Sequence, residues 1–192
     1  MERIKRVLDK YFHFMDEIGG NSFIEELIPA QLINKEKEPK FEGTLFWKAI
    51  NSTIKENEIS ELEEYYRHKF PLSYKLFLQH RHFIDLQLGE YSIGFFKNLP
   101  NTIVNDTKEE IENCYWNLVE RNYLPFASLS DYGVLCFDAN HSNPDYPIVS
   151  FDHEDEYDKP EIYASNFEAM FEEFETHLDD WIKSKREKRN LT

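Results

Sequence analysis

The chain has 192 residues, a net charge of −15 and 41% hydrophobic content, with 16 Phe, 11 Tyr and 3 Trp. That is enough apolar material for one sizeable core, which excludes global disorder, and two cysteines exclude a disulfide framework. So acidic a body repels phosphate backbones, which argues against nucleic acid as a partner and for basic protein partners.

Met1–Arg6 is charged and amphipathic, without the apolar centre of a signal peptide. No apolar run approaches membrane-spanning length, so a soluble, cytoplasmic protein is expected. Residues 2–18 predict a helix, with Ile4, Val7, Leu8, Tyr11, Phe12, Met15 and Ile18 at helical spacing and Gly19-Gly20 as its stop. Ser22-Phe23-Ile24-Glu25 has capping-box form and predicts a short helix before Pro29. Residues 34–43 are charged and broken by Pro39 and Gly43, the pattern of a linker. Thr44–Lys55, carrying Leu45, Phe46, Trp47, Ala49 and Ile50, reads as another helix. Residues 1–56 are thus expected to form an N-terminal helical extension.

A second block, residues 57–182, follows. Ser60-Glu61-Leu62-Glu63 predicts a helix through about Lys69, and Pro71 opens another, Leu72–Gln79, with Leu72, Leu76 and Phe77 inward. Ile84–Leu88 alternates apolar and polar residues, a half-buried strand, and Gly89-Glu90 turns it into a strand over Tyr91–Phe96. Thr107–Glu110 caps a helix through Arg121, with Ile111, Cys114 or Tyr115, Leu118 and Val119 inward. A proline-led turn, Leu124–Ala127, precedes the strands Gly133–Asp138 and Tyr146–Glu154. An acidic loop then leads to a last helix opening at Ala164–Glu168, with Phe167, Met170, Phe171, Phe174, Leu178 and Trp181 as its stripe. Cys114 and Cys136 read as reduced core thiols. Residues 183–192 form a basic tail of local charge +4, leaving −19 for the rest, and suit the negative end of a helix. The expected class is α+β: a mostly antiparallel or mixed sheet of at least four strands flanked by helices.

Five segments in order resemble the SUKH superfamily of Smi/Knr-type domains. They are Phe70-Pro71-Leu72-Ser73-Tyr74-Lys75-Leu76-Phe77-Leu78, Leu124-Pro125-Phe126-Ala127, Asp131–Asp138, Tyr146-Pro147-Ile148-Val149 and the Ala164-Ser165-Asn166-Phe167-Glu168 helix start. The resemblance covers roughly residues 57–180. Gln79-His80-Arg81-His82 departs from it, standing where the family has Asn-Gly-Gly. The resemblance implies binding rather than catalysis: many bacterial members are similar to immunity proteins that occlude a secreted toxin domain, often a nuclease, and fungal relatives look like regulators of cell-wall synthesis. It supplies no catalytic residues.

Residues 152–161 hold six carboxylates in ten positions. Asp131, Asp138, Asp152, His153, Glu154, Asp155, Glu156, Tyr157 and Asp158 are therefore the candidate partner-binding residues, facing a basic toxin domain. Charge complementarity there would speed encounter, and Tyr157 offers an aromatic anchor. A solvated loop is the simpler reading of the same run. A second class of function, a metal-dependent hydrolase, would use Asp138, His141, Asp152 and His153, although no HExxH or CxxC spacing places them together. His80 and His82 could share a strand face near Asp85. A housekeeping regulatory scaffold is a third. No nucleophile elbow or phosphate loop is present, and adjacent acids such as Glu63/Glu64 and Glu172/Glu173 read as solvent-facing charge. No cofactor and no metal is expected.

Overall fold

The computed structural model describes residues 1–39, 41–88, 93–130, 133–155 and 157–189. The first helix, α1 (Glu2–Ile18), buries Ile4, Val7, Leu8, Tyr11, Phe12 and Phe14 and ends at Gly19 in the left-handed conformation that glycine adopts without strain. The stretch after it departs from expectation. Ser22–Ile24 is a strand, β1, pairing antiparallel with β2 (Thr44–Phe46), and only Glu25–Leu27 makes a helical turn. Thr44–Lys55 holds β2 and β3 (Ile50–Asn51) rather than a helix. Thr, Phe, Trp and Ile favour a pleated, half-buried surface, and cross-strand pairing overrides a local capping signal. The charged segment 34–43 is tied down at its start. The Asn34 side chain donates to Asp16 at 3.1 Å, and its backbone N–H donates to the Phe46 carbonyl at 2.8 Å.

The helix α2 (Glu56–Tyr66) begins four residues before the predicted capping box, with the Glu58 carboxylate accepting the Lys55 N–H. In α3 (Leu72–Leu78), Tyr74, Phe77 and Leu78 face inward, while Leu72 is 62% exposed, contrary to expectation. Glu63 overturns its reading as solvent-facing charge. Its side chain is 2% exposed and accepts from Lys69, from Lys75 and from the Phe70 N–H, pinning the corner between α2 and α3. Burial pushes this carboxyl up, but the two lysines and the backbone donor outweigh it, and the net shift is downward.

Six strands form one antiparallel meander in the order β10-β9-β8-β7-β6-β5. They are β5 (Gln87–Leu88), β6 (Ile93–Phe95), β7 (Tyr123–Leu129), β8 (Gly133–Asp138), β9 (Ile148–Asp152) and β10 (Glu161–Ala164). The turn predicted at Gly89-Glu90 lies outside the described residues. Leu124–Ala127 is not a turn but part of β7, a central strand. Pro125 is tolerated there because the register slips between Pro125 and Ala127, a bulge where a missing N–H does no harm. The Tyr66 hydroxyl donates to the Pro125 carbonyl at 2.7 Å, tying α2 to the bulge. Between β6 and β7 the chain is helical: α4 (Ile103–Glu110), a π turn (Ile111–Tyr115) and α5 (Trp116–Glu120). The π turn settles the choice between Cys114 and Tyr115, since its extra residue rotates the phase. Tyr115 is buried, and Cys114 is exposed rather than a core thiol, whereas Cys136 is buried.

Phe137 and Val134 point to opposite sides of β8, by the strand's period of two. On the Phe137 side, Tyr74 of α3 and Phe167 of α6 (Phe167–Arg189) close on it at 5.1 and 5.7 Å, with Phe126 stacked at 4.4 Å. Leu86, Ile93, Phe95, Val134, Cys136, Phe137, Ile148, Val149, Phe167, Phe171 and Phe174 all join one buried cluster, which also takes in α1. Ile182 is buried in α6, with Trp181 packed partly buried beside it. The basic stretch from Lys183 continues this helix, and Arg186 pairs with Glu17 at 2.6 Å.

The departure at Gln79–His82 has a structural use. Arg81–His82 forms β4 and pairs with β3. His80 and Arg81 both reach Asp9 of α1, at 2.8 Å. At this corner the family domain receives the chain's own N-terminal segment.

Candidate protein-interaction surface

The acidic run follows the end of β9 and returns to the end of α5, where Tyr157 and Asp158 meet Arg121. Asp152 starts it, its Oδ1 accepting the Glu154 N–H at 2.8 Å. The Tyr157 N–H donates to the Asp152 carbonyl and the Asp158 N–H to the Asp155 carbonyl. Tyr157 sits at φ 57°, a left-handed conformation that costs a non-glycine residue about 1 kcal/mol or more. Its ring stands edge-on to Tyr115 at 6.0 Å. Burial pushes its phenol pKa up, and neighbours including Asp152 add to that.

Arg121, at the end of α5, holds this conformation. Nη1 donates to the Tyr157 carbonyl at 2.6 Å and Nη2 to the Asp158 carbonyl at 2.9 Å. The guanidinium lies 5.5 Å from the ring centroids of Tyr123 and Phe151, which themselves pack at 4.8 Å. Arg121 thus spends its donors on backbone carbonyls, not on carboxylates. His153, Glu154, Asp155 and Asp158 remain exposed, and these three acids pair with no cation among the described residues. No sequence pattern singles out Arg121, whose partners lie 36 and 37 residues away and are main-chain atoms.

Asp152, His153, Glu154, Asp155, Tyr157 and Asp158 therefore lie on one turn. Asp138 does not join them. It sits at the far end of β8, since Asp152 is registered opposite Gly133, a separation of roughly 16 Å along the strand. Asp131 and Glu156 lie outside the described residues.

The grouping proposed for a hydrolase is split by the same register. His141 approaches Asp138 at 3.4 Å, and Asp138 also accepts from the Asn140 backbone and side chain. Asp152 and His153 are at the other end of the strand. No three His, Cys, Asp or Glu side chains converge as metal ligands among the described residues. His80 and His82 do not share a site either. His82 is buried, its Nε2 accepting the Thr53 N–H at 2.9 Å while Nδ1 faces the Asn98 oxygens. Burial lowers its pKa, which keeps the ring neutral in that role. No helix among the described residues is long and apolar enough to cross a membrane.

No curated protein matches the chain. A family model, SUKH_6, described as SMI1-KNR4 cell-wall, matches residues 56–171, from the first residue of α2 into the second turn of α6. That is more than half of the chain and contains the whole six-stranded meander, so the protein belongs to the SUKH family of SMI1-KNR4 domains.

Proposed function

We propose that this chain is a non-enzymatic, cytoplasmic protein-binding module of the immunity type, which neutralises a basic toxin domain by occluding it. The observation that carries this reading is the Arg121 clamp. A left-handed tyrosine and two main-chain carbonyls are held so that Glu154, Asp155 and Asp158 project without a cation partner among the described residues. A preorganised acidic turn loses little freedom on binding, and its field accelerates encounter with a basic cleft. A nuclease cleft is basic because it must hold phosphates. Tyr157, half-buried against Tyr115, supplies an aromatic anchor beside the charges.

The test is co-expression with the toxin encoded beside this chain, together with association kinetics at two salt concentrations. Replacing Asp152, Glu154, Asp155 and Asp158 by their amides should slow association about tenfold or more at low salt and weaken protection. Full protection by that variant, with association indifferent to salt, would move recognition elsewhere on the molecule.

A further inference from the structure

A second acidic feature lies away from the 152–158 turn. Between β5–β6 and α4, with Phe23 of β1 in its wall, runs a groove of about 620 Å³, within the range of specific ligand sites. It is built jointly by the family domain and the N-terminal segment, because Phe23 lies outside the matched residues.

The charges of α4 are sorted across it. Lys108 turns toward α2, bonding Glu61 at 2.7 Å and lying over the Tyr65 ring. Asp106, Glu109 and Glu110 line the groove, as does Asp85. Lys97 is the one cation among the described lining residues. Burial desolvates Asp85 and pushes its carboxyl pKa up, against the opposing hydrogen bonds from the Gln87 side chain and the Leu86 backbone. Phe23 and Phe96 add apolar wall suited to the methylene stems of lysine or arginine.

An independent observation concerns Thr107. It is only 8% exposed and lines the groove, yet its hydroxyl has no hydrogen-bond partner among the described residues. Helical threonines ordinarily satisfy that hydroxyl on the carbonyl four residues back, as Thr176 does on Glu172 at 2.9 Å. The Thr107 hydroxyl is not sealed from solvent, so it stands free to bond an incoming polar group in place of water. Gly94 lies in the opposite wall, where any side chain would crowd Ser128 Oγ, 2.7 Å from the position a Cβ would take. A backbone can approach closely there.

We propose that this groove binds an extended, lysine- or arginine-bearing segment of a protein partner, with Thr107 bonding its backbone and the four acids holding its cations. This rests on the reading of the chain as a protein-binding module and adds a second contact to it.

The full chain, isotope-labelled for NMR, is titrated with a blocked pentapeptide of sequence Gly-Lys-Gly-Arg-Gly and with its double-glutamine counterpart. Amide shifts should concentrate at Gly94, Thr107, Glu110 and Asn113, and the glutamine peptide should bind at least about tenfold more weakly. Thr107→Val, an isostere, should leave the melting temperature unchanged or raised yet weaken the peptide several-fold. Glu110→Gln should weaken it about tenfold, while the amide variants of Asp155 and Asp158 should leave it unchanged. Shifts centred on the 152–158 turn, equal binding by the Thr107→Val and Glu110→Gln variants, or full displacement by spermine would overturn the proposal, the last by assigning the groove to a free polyamine. No peptide binding by a chain that still protects cells from its toxin would remove the groove and leave the immunity reading standing. Peptide binding without protection would do the reverse.

Discussion

The seam between α1 and α6 and the turn at 152–158 are both rich in carboxylates, and the protein treats them in opposite ways. Along the seam, acids meet cations: Arg3 reaches Glu172 and Glu175, Arg6 shares Glu175, Lys10 pairs with Asp179 and Arg186 with Glu17. In the turn, the nearby arginine binds carbonyls and leaves Glu154, Asp155 and Asp158 without a cation among the described residues. Self-repulsion in the turn works against compaction, and exposed pairs in the seam contribute little. The seam is thus arranged to hold two helices in register, whereas the turn displays charge. A third treatment appears at Glu63, where a fully buried carboxylate is satisfied by two lysines and a backbone N–H.

The sharpest way to separate the three is to remove one carboxylate from each. Glu63→Ala should have the largest effect, about 3 kcal/mol of lost stability in urea unfolding, because it strands Lys75 and the Phe70 N–H in a buried corner. The pH dependence carries the same signature. The Glu63 carboxyl is lowered in the folded state, so its contribution is present above its ordinary 4.5 and is lost as pH falls through the folded value. His82 is lowered below 6.5, so the unfolded chain takes up its proton first and stability begins to fall below that pH. Thermal melts from pH 7 to 2 should therefore decline in two stages. His82→Gln should flatten the upper stage and Glu63→Gln the lower.

Arg121→Leu comes next. It removes two charge-assisted bonds to main-chain carbonyls and should cost about 2 kcal/mol. Hydrogen exchange at Tyr157 and Asp158 should rise well beyond that of neighbouring β9 amides. Unchanged protection there would mean that the turn holds itself, and the contrast with the seam would lose its mechanism. Neutralising the four acids of the turn should act oppositely: no loss of melting temperature, but slower association.

These differences bear on what a sequence reveals. Strands β8 and β9 and helices α1 and α6 are legible because their apolar residues keep one period over several turns or pleats. β7 is not, because Pro125 signals a turn and only the bulge makes it harmless. Thr44–Lys55 imitates a helix because five aromatic and aliphatic side chains fall within six residues, whereas the partners that make it strand, Ser22–Ile24 and Arg81–His82, lie 20 to 32 residues away. Glu63 and Glu64 are indistinguishable in the sequence, and only the packing of α3 buries one of them. The acidic turn is visible as composition. Its clamp and the groove beside α4 are not, since each is assembled from distant segments, the groove from β1, β5–β7 and α4.

The smallest expected effect belongs to the seam, and it completes the contrast. Glu175 accepts from both Arg3 and Arg6, and the Arg6 hydrogen bond is the main cause of its lowered pKa. The pairs are nonetheless solvent-accessible, with the Glu175 side chain 33% exposed, so water and salt screen most of their attraction. The packing of α1 on α6 is carried instead by buried groups such as Leu8, Tyr11, Phe14 and Leu178, with Trp181 stacked on Tyr11 at 6.0 Å. Glu175→Gln should therefore move the melting temperature by no more than about 2 °C, and the shift should shrink further in high salt. The same substitution should leave association with the proposed basic partner within about twofold of the native rate, because a neutralised pair adds little to the long-range field. A seam variant that slowed association as much as the turn variant would show that total charge, not the clamped turn, steers the partner. Leu8→Ala provides the internal control: it empties buried volume under the same seam and should cost about 3 kcal/mol while leaving association kinetics untouched.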